Sequence, residues 1–254
     1  MGIVTSSSDM NSARESGRIV RKVLAELAQF IKPGVTTADI DALGREIIEK
    51  EGAVPSFLNY NGYPAAVCVS INREVVHGIP SALRQVRDGD IVGIDVGAYK
   101  DGYHGDAADT VMVGDVPPEA RKLVEVTYEA RDRGIAAAVS GNTVGDIGHA
   151  VQSHVESFGF TVVHQLVGHG IGRKLHESPQ VPNYGRSGRG QKLKNGLLLA
   201  IEPMVNLGRR ETRLMPDGWT VVTKDRNLSA QWEHTILVTE DSFEVLTLGA
   251  SGQI

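Results

Sequence analysis

Four carboxylates and one histidine stand where neighbouring side chains are apolar or small. Asp95 interrupts Gly93-Ile94-Asp95-Val96-Gly97, and Asp106 follows across Asp101-Gly102. Glu202 closes the run Leu197-Leu198-Leu199-Ala200-Ile201, and Glu233 precedes His234-Thr235-Ile236-Leu237-Val238. His169 sits in Val167-Gly168-His169-Gly170-Ile171-Gly172, where glycines let backbone or ligand approach closely. A carboxylate in an apolar strand is seldom fully buried unless it is paired or bound to metal. Singly, each acid also reads as a half-exposed strand residue; the inference comes from the set. If the five converge, two divalent cations balance the four carboxylates. A donor set of mostly oxygen with one nitrogen favours manganese, iron or cobalt over a closed tetrahedral zinc site. Two such ions, about 3.5–4 Å apart, would share and acidify a water for hydrolysis.

The elements that must position these groups follow from local signals. Asp101-Gly102 favours a two-residue hairpin turn. It would place Asp95 opposite Ala108 and Gly97 opposite Asp106, leaving the two acids on one face as a diagonal pair about 7–8 Å apart at most. Bare carboxylates so placed would repel and lose hydration, so a cation is expected between them. For this stretch alone, two solvated acids beside a turn is the alternative. Upstream, 12–31 reads as a helix with Ile19, Val23, Leu24, Leu27 and Phe30 on one stripe, stopped by Pro33-Gly34. Thr36 and Asp39 form a capping box for a second helix ending at Gly52. From 53 to 115 the texture is β-rich. Pro117-Pro118 opens a third helix through Ala138, and Thr143 with Asp146 caps a fourth to about Phe158. The remainder is strand-like.

Helices followed by strands thus occur twice. Gly34, Thr36, Asp39, Ile40, Glu49 and Gly52 recur as Gly141, Thr143, Asp146, Ile147, Glu156 and Gly159, each 107 positions later. The same offset carries Gly89, Ile94 and Asp95 onto Gly196, Ile201 and Glu202. The expectation is an α+β chain built by internal duplication, with Asp95 and Glu202 at equivalent places around a shared cleft. The halves run about 12–115 and 117–250 of a single catalytic domain, after a flexible segment 1–11.

Whole-chain properties are restrictive. The 254 residues carry a net charge of −5, with 41% hydrophobic and 22% charged residues, so nothing global argues for nucleic acid or an anionic membrane. The apolar runs are too short to span a bilayer and no signal segment opens the chain. Cys68 is the only cysteine, which excludes an internal disulfide or a cysteine-rich zinc module and fits the cytoplasm. Met1-Gly2-Ile3-Val4-Thr5-Ser6 matches a short myristoylation pattern; a disordered start before a capped helix is the other reading.

Five stretches in order, Asn72 to Pro80, Asp90 to Asp106, Gly168 to Gln180, Ile201 to Asn206 and Asp217 to Thr235, resemble type I methionine aminopeptidase, of peptidase family M24, over nearly the full length. The resemblance implies a pita-bread fold, a curved antiparallel sheet backed by helices with pseudo-twofold symmetry. It implies that Asp95 chelates one metal, that Asp106 and Glu233 bridge both, and that His169 and Glu202 complete the other site. Glu202 would also shuttle the proton of the attacking water. His77 and His176 match the family's two non-ligand histidines, which contact the scissile amide and the oxyanion. Tyr60, Tyr63, Cys68, His77 and Trp219, with Phe57 nearby, match the pocket for an unbranched thioether; ordinary core packing is the plainer reading of Cys68 alone. The resemblance further implies two divalent ions (cobalt, manganese or iron) with an additional monovalent cation. It implies a monomer acting on nascent polypeptide N-termini whose second residue is small.

The chain departs from the family at Leu175, often aromatic, at Asn195-Gly196, usually Pro-Gly, and at Gly97 and Ala200, threonine in some members. The resemblance is to the short bacterial form, for which no amino-terminal zinc extension is expected. Two basic stretches, 173–194 with six Lys or Arg against one acid and 209–226 with five against three, read as solvated loops or as a transient ribosome contact. The rival readings are a prolidase or Xaa-Pro aminopeptidase on the same fold and a non-catalytic nucleic-acid-binding relative.

Overall fold

The computed structural model describes residues 3–248. Met1-Gly2, on which the myristoylation reading falls, and the segment from 249 onward lie outside the described residues. The first half comprises α1 (Ser7–Phe30), α2 (Thr37–Lys50), β1 (Val54–Pro55), β2 (Val67–Ile71), β3 (Glu74–Val76), β4 (Ile91–Lys100) and β5 (Tyr103–Met112). The second comprises α3 (Pro118–Ala136), α4 (Val144–Ser157), β6 (Thr161–Val162), β7 (Gly168–Gly170), β8 (Glu177–Val181), β9 (Leu198–Ile201) and β10 (Met204–Asn206). It continues through β11 (Thr212–Leu214), β12 (Val221–Thr223), β13 (Ser229–Gln231), β14 (His234–Val238) and β15 (Phe243–Val245).

The α1 helix starts at Ser7 rather than Ser12, because the Ser6 hydroxyl accepts the Asp9 N–H and caps it. The stretch expected to be a flexible lead-in is therefore helical over 7–11, and ahead of it Ile3 bridges Leu197 while Val4 is buried. The α2 cap is as read: Thr36 and Asp39 satisfy each other's backbone N–H groups. Asp146 repeats it, accepting from both the N–H and the hydroxyl of Thr143.

Every strand pairing is antiparallel. β4 takes β1 and β2 along one edge and β5 along the other; β15-β14-β9-β7-β8 form the largest sheet, with β13-β10-β6 and β11-β12-β3 beside it. Helices cover one face. Ile19, Leu24 and Leu27 of α1 are buried with Ile94 and Val96 of β4, and Leu123, Val126 and Val151 of α3 and α4 with Val205 and Ala230. Each such side chain contributes roughly 1.5–3 kcal/mol relative to exposure.

The duplication is visible in the backbone. The isolated bridge Thr36↔Gln85 recurs as Thr143↔Lys192, again 107 positions on. Gly34 and Gly141 have φ of +94° and +92°, and Gly89 and Gly196 have +86° and +85°. The two halves are copies facing one another, and the acids they carry meet between them.

Candidate metal centre

The hairpin forms as its turn residues dictate. Asp101 and Gly102 both have positive φ, the mirror-image turn whose twist suits paired strands. The register puts Asp95 opposite Ala108 and Gly97 opposite Asp106. The other two acids come from a break in a ladder. β9 and β10 run against β14 and β13, with His234 paired to Ile201 and Met204 to Gln231. Between those pairs, Glu202-Pro203 on one strand and Trp232-Glu233 on the other leave the strand pattern. Both glutamates sit at this break, and both line the same cavity. β5 is tied to it: Glu233 N–H donates to the Ala108 carbonyl at 2.8 Å, and the Thr235 hydroxyl both donates to the Asp106 carbonyl at 2.7 Å and accepts its N–H at 3.0 Å.

The five groups converge on a cavity of about 370 Å³. Ligand atoms of Asp106, His169 and Glu233 all lie within 4.8 Å of one another. His169 Nε2 is 3.5 Å from Glu202 Oε1 and 3.9 Å from Asp106 Oδ2. Its Nδ1 lies 2.9 Å from the Gly170 carbonyl; donating there, it leaves Nε2 as a lone pair aimed at the acids. Gln231 Nε2 donates to Glu202 Oε2 at 3.4 Å, and Asn183 Nδ2 to the Glu202 carbonyl at 3.0 Å.

The electrostatics show what the cluster lacks. Burial pushes the Asp95 carboxyl up to about 7, against a hydrogen bond with Asp106 that pulls it down. Burial raises Asp106 well above the carboxylate range, helped by the charges of Asp95 and Glu202. Burial, then Asp95, does the same to Glu202, and burial, then Asp106, to Glu233. Asp95 Oδ1 and Asp106 Oδ1 are buried without a hydrogen-bond partner. His169 is held down at about 3 by burial and by His176, so it is a neutral donor at any working pH. Orphaned carboxylate oxygens facing a neutral imidazole in one cavity fit divalent cations, and an oxygen-rich set suits hard or borderline ions.

All the remaining expected site residues line the same cavity. His77 follows β3 with φ +58°, an uncommon conformation for a non-glycine residue, and burial holds its ring down at about 4. His176 packs edge-on against His169 at 4.3 Å, with its Nδ1 2.7 Å from the Tyr60 hydroxyl. Phe57, Tyr63 and Cys68 are buried on one side, with Trp219 edge-on to Tyr63 at 5.1 Å. Leu175 supplies a buried aliphatic wall. Sequence reasoning missed Gln231, Asn183 and the Thr235 hydroxyl. The signal was present for two of them, which lie in the Gln231 to Thr235 stretch beside Glu233; Asn183 carried none. Gly97 is explained by its neighbour: a Cβ there would stand 2.7 Å from Phe57 Cε1 and 2.8 Å from Ser56 Cβ. The space a threonine would fill holds the Phe57 ring.

A duplicated α+β fold with an acid-rich centre at its pseudo-twofold junction defines a metallopeptidase of the pita-bread class. The sequence pattern of metallopeptidase family M24 matches residues 11–240. A methionine aminopeptidase of Clostridium acetobutylicum is 48% identical over 248 residues, covering 98% of this chain and 99% of that one. The crystal structure of methionine aminopeptidase from Rickettsia prowazekii superposes with a TM-score of 0.95 at 43% identity, over 98% of this chain and 100% of the other. A prolidase from Pyrococcus furiosus shares the fold alone, with a TM-score of 0.79 and 23% identity, 97% of this chain covering 66% of that one. The chain belongs to metallopeptidase family M24, in its methionine aminopeptidase branch.

Proposed function

We propose that this chain removes the amino-terminal methionine from nascent polypeptides whose second residue is small. The observation that carries the reading is the convergence of Asp95, Asp106, His169, Glu202 and Glu233 in one cavity with Phe57, Tyr60, Tyr63 and Trp219, aromatic walls that suit a thioether. Asp95, Asp106, His169, Glu202 and Glu233 would hold two divalent ions. Manganese, iron and cobalt suit the donors, and a monovalent cation is an additional expectation. When bound, the ions supply Lewis acidity to the scissile carbonyl and acidify a water.

The rest is the work of the chain's own groups. Glu202, oriented by Gln231, takes the proton of the attacking water and returns it to the leaving amine. The Tyr60 hydroxyl, donating to His176 Nδ1, leaves Nε2–H free to donate to the developing oxyanion. His77, neutral because it is buried, hydrogen-bonds the scissile amide. Phe57, Tyr63, Cys68 and Trp219 enclose the methionine side chain. The enzyme acts as a cytoplasmic monomer; among the described residues no helix is long and apolar enough to cross a membrane. Arg209, Arg210 and Arg213 are exposed, available for a transient ribosome contact.

The deciding assay follows Met-Gly-Met-Met and a Xaa-Pro peptide with chelated and metal-restored protein. Metal-dependent release of methionine from the first alone is expected. Cleavage of only the Xaa-Pro peptide would make the chain a prolidase, and cleavage of neither a binding protein. Gly97→Ala tests the recess. The added methyl drives Phe57 into it, costing about 1–3 kcal/mol of stability by overpacking and raising KM for Met-Gly-Met-Met more than it lowers kcat. An unaltered KM would show that Phe57 does not gauge the side chain.

A further inference from the structure

The bulkiest fully buried side chain among the described residues is a cation. Arg131, in the C-terminal third of α3, is 1% exposed. Its Nη2 and Nε donate to Asp132 Oδ1 at 2.7 and 2.9 Å, and Asp132 is itself only half-buried. The guanidinium lies 4.3 Å from the centre of the Tyr128 ring and 5.3 Å from that of Trp232. The two rings meet edge to face at 5.1 Å. Trp232 Nε1 is buried with no hydrogen-bond partner, so the indole is held by this stack and by packing. Trp232 is also the residue at which the ladder breaks: its N–H reaches the Pro203 carbonyl at 3.4 Å, next to Glu202, and it immediately precedes Glu233.

We propose that Arg131 and Tyr128 clamp Trp232 and so hold the ladder break at which Glu202 and Glu233 face the metals; Arg131 is a positioning residue for the centre, outside it. A buried guanidinium with one carboxylate partner is a poor source of stability, since such pairs are often replaced by hydrophobic residues at no cost. What it supplies is a cation against both rings at once, which ties the indole to the guanidinium as well as to the tyrosine ring. Residues that orient metal ligands typically cost about 10–100-fold in metal affinity when lost.

The inference rests on the reading of Glu202 and Glu233 as metal ligands. The test is calorimetric titration of chelated protein with manganese, alongside thermal melting of the chelated samples and kinetics. In Arg131→Met, about 10–100-fold weaker manganese binding is expected, with the chelated melting temperature at or above that of the wild type. Under limiting metal kcat falls while KM holds, and Arg131→Lys recovers part of the affinity by keeping a cation on the rings. Tyr128→Leu, which removes one ring and leaves the charge, shifts affinity in the same direction by less. It decides the matter if Arg131→Met does not fold. Wild-type manganese affinity in both variants overturns the clamp. A wild-type chain that takes up no manganese overturns the metal reading first, and is distinguished by failing before any variant is made.

Discussion

With Glu202 replaced by Gln, turnover is expected to fall by about 10²–10⁴-fold, the range a positioned acid–base group contributes, while the chelated protein melts at a higher temperature. The two effects have one cause. Glu202 lies 3.5 Å from the neutral His169 and shares its cavity with Asp95, Asp106 and Glu233. Burial and the Asp95 charge raise its proton affinity well above normal, so without cations the fold must protonate the group or bear its charge. Gln removes that demand and keeps an oxygen to accept from Gln231. It cannot take a proton from water at any pH. Sites that strain against their own fold for the sake of function commonly show this trade between stability and activity. Steady-state release of methionine measures the first effect and calorimetry after chelation the second. Unchanged kcat would remove Glu202 from proton transfer. A lower melting temperature would mean that the carboxylate supports the fold.

Much of the scaffold was legible because it is specified locally. Asp101-Gly102 demands a mirror-image turn, and that turn alone sets the register placing Asp95 and Asp106 on one face. Thr36 with Asp39 and Thr143 with Asp146 are caps readable from four residues, and their common offset exposed the duplication. The unread parts depend on contacts between distant segments. Phe57 occupies the space above Gly97 only because β1 pairs along β4, which no spacing announces. Arg131 carried no signal in the sequence, and tertiary packing buries it. Thr235 looked like a strand residue until β14 met β5. The family resemblance alone placed His77 in the site; the structure has it as a left-handed residue at a strand end that lines the cavity.

The stabilisation conferred by metal should grow steeply as pH rises from 5.5 to 8. Asp95 is raised to about 7 in the folded chain, and Asp106, Glu202 and Glu233 are raised as well. In the unfolded chain all four titrate near 4. The folded, metal-free protein therefore holds protons that the unfolded one has released. That contribution is fully present below about pH 4 and is lost as pH rises through the raised values, about 7 for Asp95. Divalent ions bind the deprotonated groups, so they must displace the protons these raised carboxyls hold, and fewer of them as pH rises. His169, down at about 3, is already neutral throughout and releases none. His77, down at about 4, opposes the trend in absolute stability: its contribution is present above the unfolded value near 6.5 and falls away as pH drops toward 4. Because His77 is proposed to hold no metal, it cancels when metal-loaded and chelated samples are compared at the same pH. At free metal about 100 times the dissociation constant the increment is about 2.7 kcal/mol, and it shrinks as protons raise that constant at lower pH. Paired melts at half-unit pH steps measure it, and titrations in two buffers of different ionisation enthalpy count the protons released. An increment flat across this range, with no proton release, would mean that the four carboxylates are already ionised in the metal-free fold, and the mutual crowding that defines the centre would not exist.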